Sequence, residues 1–168
     1  MKKIILSTAV LIATVLTVHA QSSSTDSKQL KFSVGVEAGL PLGDFKETHK
    51  FGIGGSVQGE YAAAEKVGLT LNAGFLSFTG KSIEGGKYPS ASIVPVLAGA
   101  KYYFTENVYG QAQAGISFFN NGGGSAFTYT PGIGVKAGEN IDILVKYQAA
   151  TKSGETLSFL GARVAYNF

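Results

Sequence analysis

Eight ionisable residues share one positional rule. Three acids (Glu37, Glu60, Asp142) and five bases (Lys31, Lys101, Lys136, Lys146, Arg163) each lie in a segment where residue types alternate, and each lies on the polar side of the alternation. Acids and bases collected on one buried face are costly unless they pair, so their chemistry is that of an ion-pair cluster, which either locks a structure or lines a path for ions. Other chemistry is poorly supplied. The chain has no Cys, and its histidines are His19 and His49. His49 has Glu47 two residues away, and Ser92 and Ser125 lie in other loops, so a Ser–His–acid triad would have to assemble between loops without a Gly-x-Ser-x-Gly elbow. No catalytic residue is expected, and the chain reads as a non-enzyme. No Cys/His cluster offers a metal site, and the loop carboxylates Asp44, Glu47 and Glu84 have no ligand spacing. Gly52-Ile53-Gly54-Gly55 and Gly132-Ile133-Gly134 superficially resemble phosphate-binding loops, but neither leads into a helix, so no cofactor is expected.

The elements that must position the charges are strands. Over 30–40, Leu30, Phe32, Val34, Val36, Ala38 and Leu40 alternate with Lys31, Ser33, Gly35, Glu37 and Gly39. Successive strand side chains point to opposite faces, so this segment has one apolar and one polar face. The pattern recurs over 51–61, 67–77, 94–104, 108–118, 127–137, 141–149 and 158–168. The apolar face of these eight segments holds no Asp, Glu, Lys or Arg.

Eight amphipathic antiparallel strands fit two architectures. A soluble barrel puts the apolar face inside, and a membrane barrel puts it in lipid around a polar lumen. Three features favour the membrane. First, Met1-Lys2-Lys3, the apolar run 4–18 and Val18-His19-Ala20 before Gln21 read as a cleavable export signal. The run is shorter than the ~20 residues of a spanning helix. Second, the last strand ends on aromatics, Tyr166 and Phe168, on the apolar face. Third, that face sorts its aromatics by height. Phe51, Phe75, Phe118, Phe127, Tyr129 and Tyr147 fall near one end of their strands, and Phe32, Tyr61, Tyr102, Phe104 and Tyr166 near the other, with aliphatic residues between. Two girdles around an aliphatic band are what bilayer interfaces select.

The connections are expected to be unequal: short lower turns at 62–66, 105–107 and 138–140, and longer upper loops at 41–50, 80–92, 119–126 and 150–155. The expected organisation is a signal peptide over 1–20, a polar Ser-rich stretch over 21–28 and an eight-stranded antiparallel up-and-down transmembrane barrel with a polar lumen over 29–168. Glycine, at 23 of 168 residues, is spread along the strands and suits crowded barrel walls. The formal charge of +3 includes Lys2 and Lys3; without them the balance is 12 basic against 11 acidic residues, which gives no argument for nucleic acid, and no nucleic-acid partner is expected. With no Cys, disulfides and lipidation are excluded, and rigidity must come from the closed backbone ladder.

The phrases Gly39-Leu40-Pro41-Leu42-Gly43-Asp44-Phe45 and Ala100-Lys101-Tyr102-Tyr103-Phe104, with the terminal aromatics, resemble the small outer-membrane β-barrel family that includes the OmpA transmembrane domain and OmpX. The Ala20-Gln21 junction and the Tyr-Tyr-Phe phrase are most similar to members from Bacteroidetes. The resemblance covers the mature chain, without OmpA's peptidoglycan-binding domain. It implies residence in a Gram-negative outer membrane, contact with its lipid and lipopolysaccharide, and passage through periplasmic chaperones and the barrel assembly machinery, with Tyr166 and Phe168 as the assembly signal. Three roles remain open: a structural or surface-interaction protein acting through its outer loops, a narrow gated pore for ions or small solutes, and a lipid-acting enzyme. An eight-stranded barrel is just wide enough for side chains to fill, so a plug paired from Glu37, Glu60, Asp142 and the lumen bases is expected, with Glu37 facing Arg163 across adjacent strands and, because shear leaves the register open, Lys146 or Lys101 as the alternative partners.

Overall fold

The computed structural model describes residues 30–120 and 122–168. The expected export signal and the polar stretch over 21–28 lie outside the described residues. In chain order the elements are β1 (Leu30–Leu42), α1 (Phe45–Thr48), β2 (His49–Ala64), β3 (Val67–Gly80), β4 (Ser82–Ile83), β5 (Gly86–Lys87), β6 (Ala91–Tyr103), β7 (Val108–Phe119), β8 (Gly124–Ala137), β9 (Ile141–Lys152) and β10 (Glu155–Asn167). Eight of the strands form one closed barrel in the order β1-β10-β9-β8-β7-β6-β3-β2, each antiparallel to its neighbours. β4 and β5 form a separate hairpin in the connection between β3 and β6, and α1 is a single turn between β1 and β2. Closure pairs β1 with β10 and leaves no sheet edge unbonded, which a lipid environment demands of every spanning backbone.

Burial is the reverse of a water-soluble domain. On the outer face Val36 and Leu71 are 62% exposed and Ile53 and Ile133 58%, whereas Glu37, Asp142 and Arg163 on the inner face are 1% exposed. Water would select the opposite arrangement. The two-residue period therefore sets the apolar side chains against lipid and the charges in the lumen, and the fold is an eight-stranded transmembrane β-barrel with a polar lumen.

The strands exceed their expected lengths at the upper end. Crossing a bilayer takes ~9–11 tilted residues, whereas these strands have 12–16, so they project beyond the upper girdle and shorten the loops. The connection expected over 150–155 is a turn at Ser153 and Gly154, both at positive φ (51° and 89°). Two such residues form the hairpin turn whose twist matches the flanking strands. The connection expected over 119–126 contracts to the stretch between β7 and β8. Only the first two upper loops, carrying α1 and the β4–β5 hairpin, are long.

Candidate functional site

The lumen is layered. At the lower end, Lys101 Nζ lies 3.0 Å from Glu60 Oε2 and 3.4 Å from Asp142 Oδ2, so one ammonium serves two carboxylates. Each acid also receives a tyrosine: the Tyr103 hydroxyl donates to Glu60 Oε1 and the Tyr109 hydroxyl to Asp142 Oδ1, both at 2.6 Å. The rings hold cations in turn. Lys101 Nζ sits 4.3 Å from the centroid of Tyr109, and Lys136 Nζ 4.2 Å from that of Tyr103. Lys136 and Lys31 thus stand apart from the other expected lumen charges: Lys136 is half-buried on an aromatic face, Lys31 is exposed at the lower end, and neither has an ion pair among the described residues.

Higher in the lumen, Glu37 lies between two bases. Lys146 Nζ is 2.8 Å from its Oε2 and Arg163 Nε is 3.9 Å from its Oε1. Neither carboxylate oxygen meets hydrogen-bond geometry, so charge holds the group. Arg163 is the direct cross-strand neighbour of Glu37 in the β1–β10 register. It nevertheless spends its donors on hydroxyls, Nε to Ser56 Oγ at 2.8 Å and Nη2 to Ser33 Oγ at 3.0 Å. The closer base, Lys146, comes from β9, one strand further round; its stem runs over Gly161 of β10, where a Cβ would stand 3.1 Å from Lys146 Cγ. A charge two strands away reaches Glu37 because no side chain on the intervening strand fills that place.

A neutral polar band completes the middle. Gln113 donates to Gln58 at 3.2 Å and to Thr70 at 2.8 Å, and Thr128 donates to Ser117 at 2.8 Å. Gln148 is fully buried, and neither of its amide atoms bonds to protein.

Above the polar band the lumen turns apolar. Phe45, Leu76, Phe78, Ile93 and Phe159 form a buried cluster, with Phe78 5.0 Å from Phe45 and 5.1 Å from Phe159 between ring centroids. Phe45 is carried by α1, which folds into the mouth. Phe78 lies over two glycines: a Cβ on Gly39 or Gly52 would come within 2.8 Å or 2.5 Å of its ring. Gly39 and Gly52 are therefore seats for the plug. The same device holds Tyr109, which lies against Gly134. Gly134→Ala should push that ring off its bond to Asp142 and cost about 1–3 kcal/mol, read as a lower urea midpoint of the refolded barrel; an unchanged midpoint would show that the ring has free room.

The plug was not legible as such. Phe78 and Ile93 fall just outside the alternating segments, and Phe45 lies in a loop. Their signal was the presence of Leu76 and Phe159 on the polar face near the same end.

The girdle residues sit on the outer wall. Phe51, Phe75, Phe118, Phe127 and Tyr129 are exposed toward the upper end, and the half-buried Tyr147 has its ring 6.4 Å from that of Tyr129. Tyr61, Tyr102, Phe104 and Tyr166 are exposed toward the lower end, and Phe32 is half-buried. Phe104 follows β6 and packs its ring 5.6 Å from Tyr102. Phe168 is 60% exposed, stacks edge-on to Tyr166 at 5.3 Å and donates its backbone N–H to the Phe32 carbonyl at 2.9 Å.

The remaining candidates are otherwise engaged. His49 Nδ1 is 2.8 Å from the Thr48 hydroxyl and its Nε2 3.2 Å from the Pro89 carbonyl. The Ser92 hydroxyl faces Ser77 at 3.4 Å. Among the described residues no three His, Cys, Asp or Glu are placed to hold a metal ion.

No family model matches the sequence, and no curated protein is similar to it. Solved structures match in fold. The outer-membrane protein Ail of Yersinia pestis in a phospholipid nanodisc superposes with a TM-score of 0.61 at 14% identity, covering 83% of this chain and 100% of that one. The N-terminal β-barrel domain of OprF from Pseudomonas aeruginosa gives 0.57 at 13%, covering 82% and 97%. A de novo designed transmembrane β-barrel gives 0.54 at 15%, covering 87% and 100%. With an inverted burial pattern, two aromatic girdles and a filled lumen, the chain has the fold of the small outer-membrane β-barrels.

Proposed function

We propose that this chain is an integral outer-membrane barrel of a Gram-negative bacterium, closed at rest, that acts through its outer loops as a structural or surface-interaction protein. The observation that carries the reading is the plug of Phe45, Phe78 and Phe159 stacked above two ion-pair clusters. An ion crossing this lumen would have to part buried pairs and then pass an apolar constriction, each a large barrier. What stays available to a partner is the upper surface, where α1 and the β4–β5 hairpin stand above the girdle. The wall is surrounded by lipid and lipopolysaccharide. Chaperones and the assembly machinery deliver the barrel, with Tyr166 and Phe168 in the role of assembly signal. Neither a nucleic-acid partner nor enzymatic activity forms part of this reading.

A narrow gated pore is the second reading. It is favoured by the polar band under the plug, where the side-chain oxygens of Asn72, Gln111 and Thr130 and both Gln148 amide atoms have no protein partner. Such a band suits a hydrated chamber. Planar-bilayer recording of the refolded barrel separates the two readings. The parent protein should give no steady unitary current, and Phe78→Ala should stay silent because the ion pairs below still block the path. Steady current from the parent would overturn the closed-barrel reading, and current from Phe78→Ala alone would make the plug a gate.

A further inference from the structure

The lipid-facing wall is not evenly filled. Where an outward position is glycine, the wall dips. At Gly110 the dip is roofed by Phe104, whose ring lies 3.1 Å from where a Cβ would stand. At Gly59 it stays open, since the nearest atom to such a Cβ belongs to Phe32 at 3.5 Å, an ordinary contact. Around Gly59 the outer faces of β1, β2 and β3 form a groove of about 490 Å³ walled by Phe32, Val57, Tyr61, Leu69 and Leu71.

The length of the groove selects its occupant. It runs from the Tyr61–Leu69 pair to the Val57–Ala73 pair. That is four rises along β2, about 13 Å at the rise of a strand. The hydrocarbon core is ~30 Å thick and barrel strands are tilted by ~40°, so the groove lies within one leaflet, the one at the short-turn end. Past the Tyr61 end of the groove, at the rim of the lower lumen mouth, the β2–β3 turn presents Glu65 and Lys66, both exposed and adjacent. One carboxylate and one ammonium side by side complement a headgroup that carries both signs.

We propose that this groove and turn seat one phospholipid with a zwitterionic phosphoethanolamine headgroup. Its acyl chain lies over Gly59, its phosphate meets Lys66 and its ammonium meets Glu65. The proposal rests on the reading of the outer wall as lipid-facing, which insertion into bilayers tests separately.

The experiment is native mass spectrometry of the mature chain released from bilayers of equal phosphatidylethanolamine and phosphatidylglycerol. One phosphatidylethanolamine should be retained per barrel. Gly59→Leu fills the groove without touching the lumen and should lower that retention about tenfold, with the heat-modifiable gel shift of the folded barrel unchanged. Glu65→Lys leaves the wall intact and should turn the preference toward phosphatidylglycerol. Equal retention by the parent and Gly59→Leu would overturn the seat. Phosphatidylglycerol held as readily as phosphatidylethanolamine by the parent would overturn the headgroup assignment, and a dimer that Gly59→Leu dissociates would assign the groove to a second copy of the chain. Failure of the parent to insert would instead overturn the membrane reading beneath it.

Discussion

Glu37→Ala should destabilise the barrel by about 3–5 kcal/mol. The carboxylate is 1% exposed and faces Lys146 and Arg163, whose side chains are 3% and 1% exposed. Alanine leaves two cations in a closed space with no counter-charge. Arg163 keeps its bonds to Ser56 and Ser33 and is partly sheltered by them. Lys146, at 2.8 Å, loses its only ion pair among the described residues. Urea unfolding of the refolded barrel in lipid vesicles measures the loss, and a double-mutant cycle assigns it. Glu37→Ala with Lys146→Met should recover most of the stability, because an unbranched apolar chain replaces the stranded ammonium. Glu37→Ala with Arg163→Ala should recover less. Zero coupling between Glu37 and Lys146 would remove their ion pair from the account of the lumen.

Ile133→Arg should cost about 2–4 kcal/mol if the site lies at the midplane. Ile133 is 58% exposed on β8, between the upper girdle and the short turns, and its register neighbours are Gly110 and Val145. The size of the effect discriminates between solvents. In water, replacing an exposed isoleucine with arginine is neutral or nearly so, within ~0.5 kcal/mol; in hydrocarbon the guanidinium is desolvated. Glu155→Arg, placed above the girdle at the start of β10, should change stability by no more than ~0.5 kcal/mol. Equal, small effects at both positions would mean that the outer wall does not meet lipid.

The barrel was legible because its code has a period of two and one face is under a hard constraint. Val36, Ile53 and Ile133 must all be apolar if they meet lipid, and no register error survives that test. The Glu37–Arg163 adjacency was legible for the same reason, since closing eight strands brings the last beside the first. What the sequence did not show was how the lumen fills. Lys146 reaches Glu37 across β10 only because Gly161 leaves a passage, and a glycine's lack of side chain says nothing about which neighbour will occupy the space. The plug was hidden differently. Phe78 obeys the alternation, but the apolar face that lipid constrains ends at Ser77; Phe45 obeys no period. Strands that outrun the bilayer are set by pairing above it, through turns such as Ser153-Gly154, and the belt pattern carries no information about them.

The seam between β1 and β10 has a kinetic consequence. Arg163 and Ser33, bonded across it, are 130 residues apart in the chain. The other strand pairs of the barrel join consecutive barrel strands, but this pair requires the entire ring to be in place. Such a contact order makes closure the slow, late step, because the entropy of bringing the ends together is spent before the seam returns anything. Until then β1 presents a bare ladder edge, and Glu37 lacks its cross-strand neighbour Arg163. A half-built ring is therefore unstable for two reasons at once, and the native state should form in an all-or-none manner: delaying β10 by slow refolding should leave the chain unfolded or self-associated through β1, with no lasting population of open barrels.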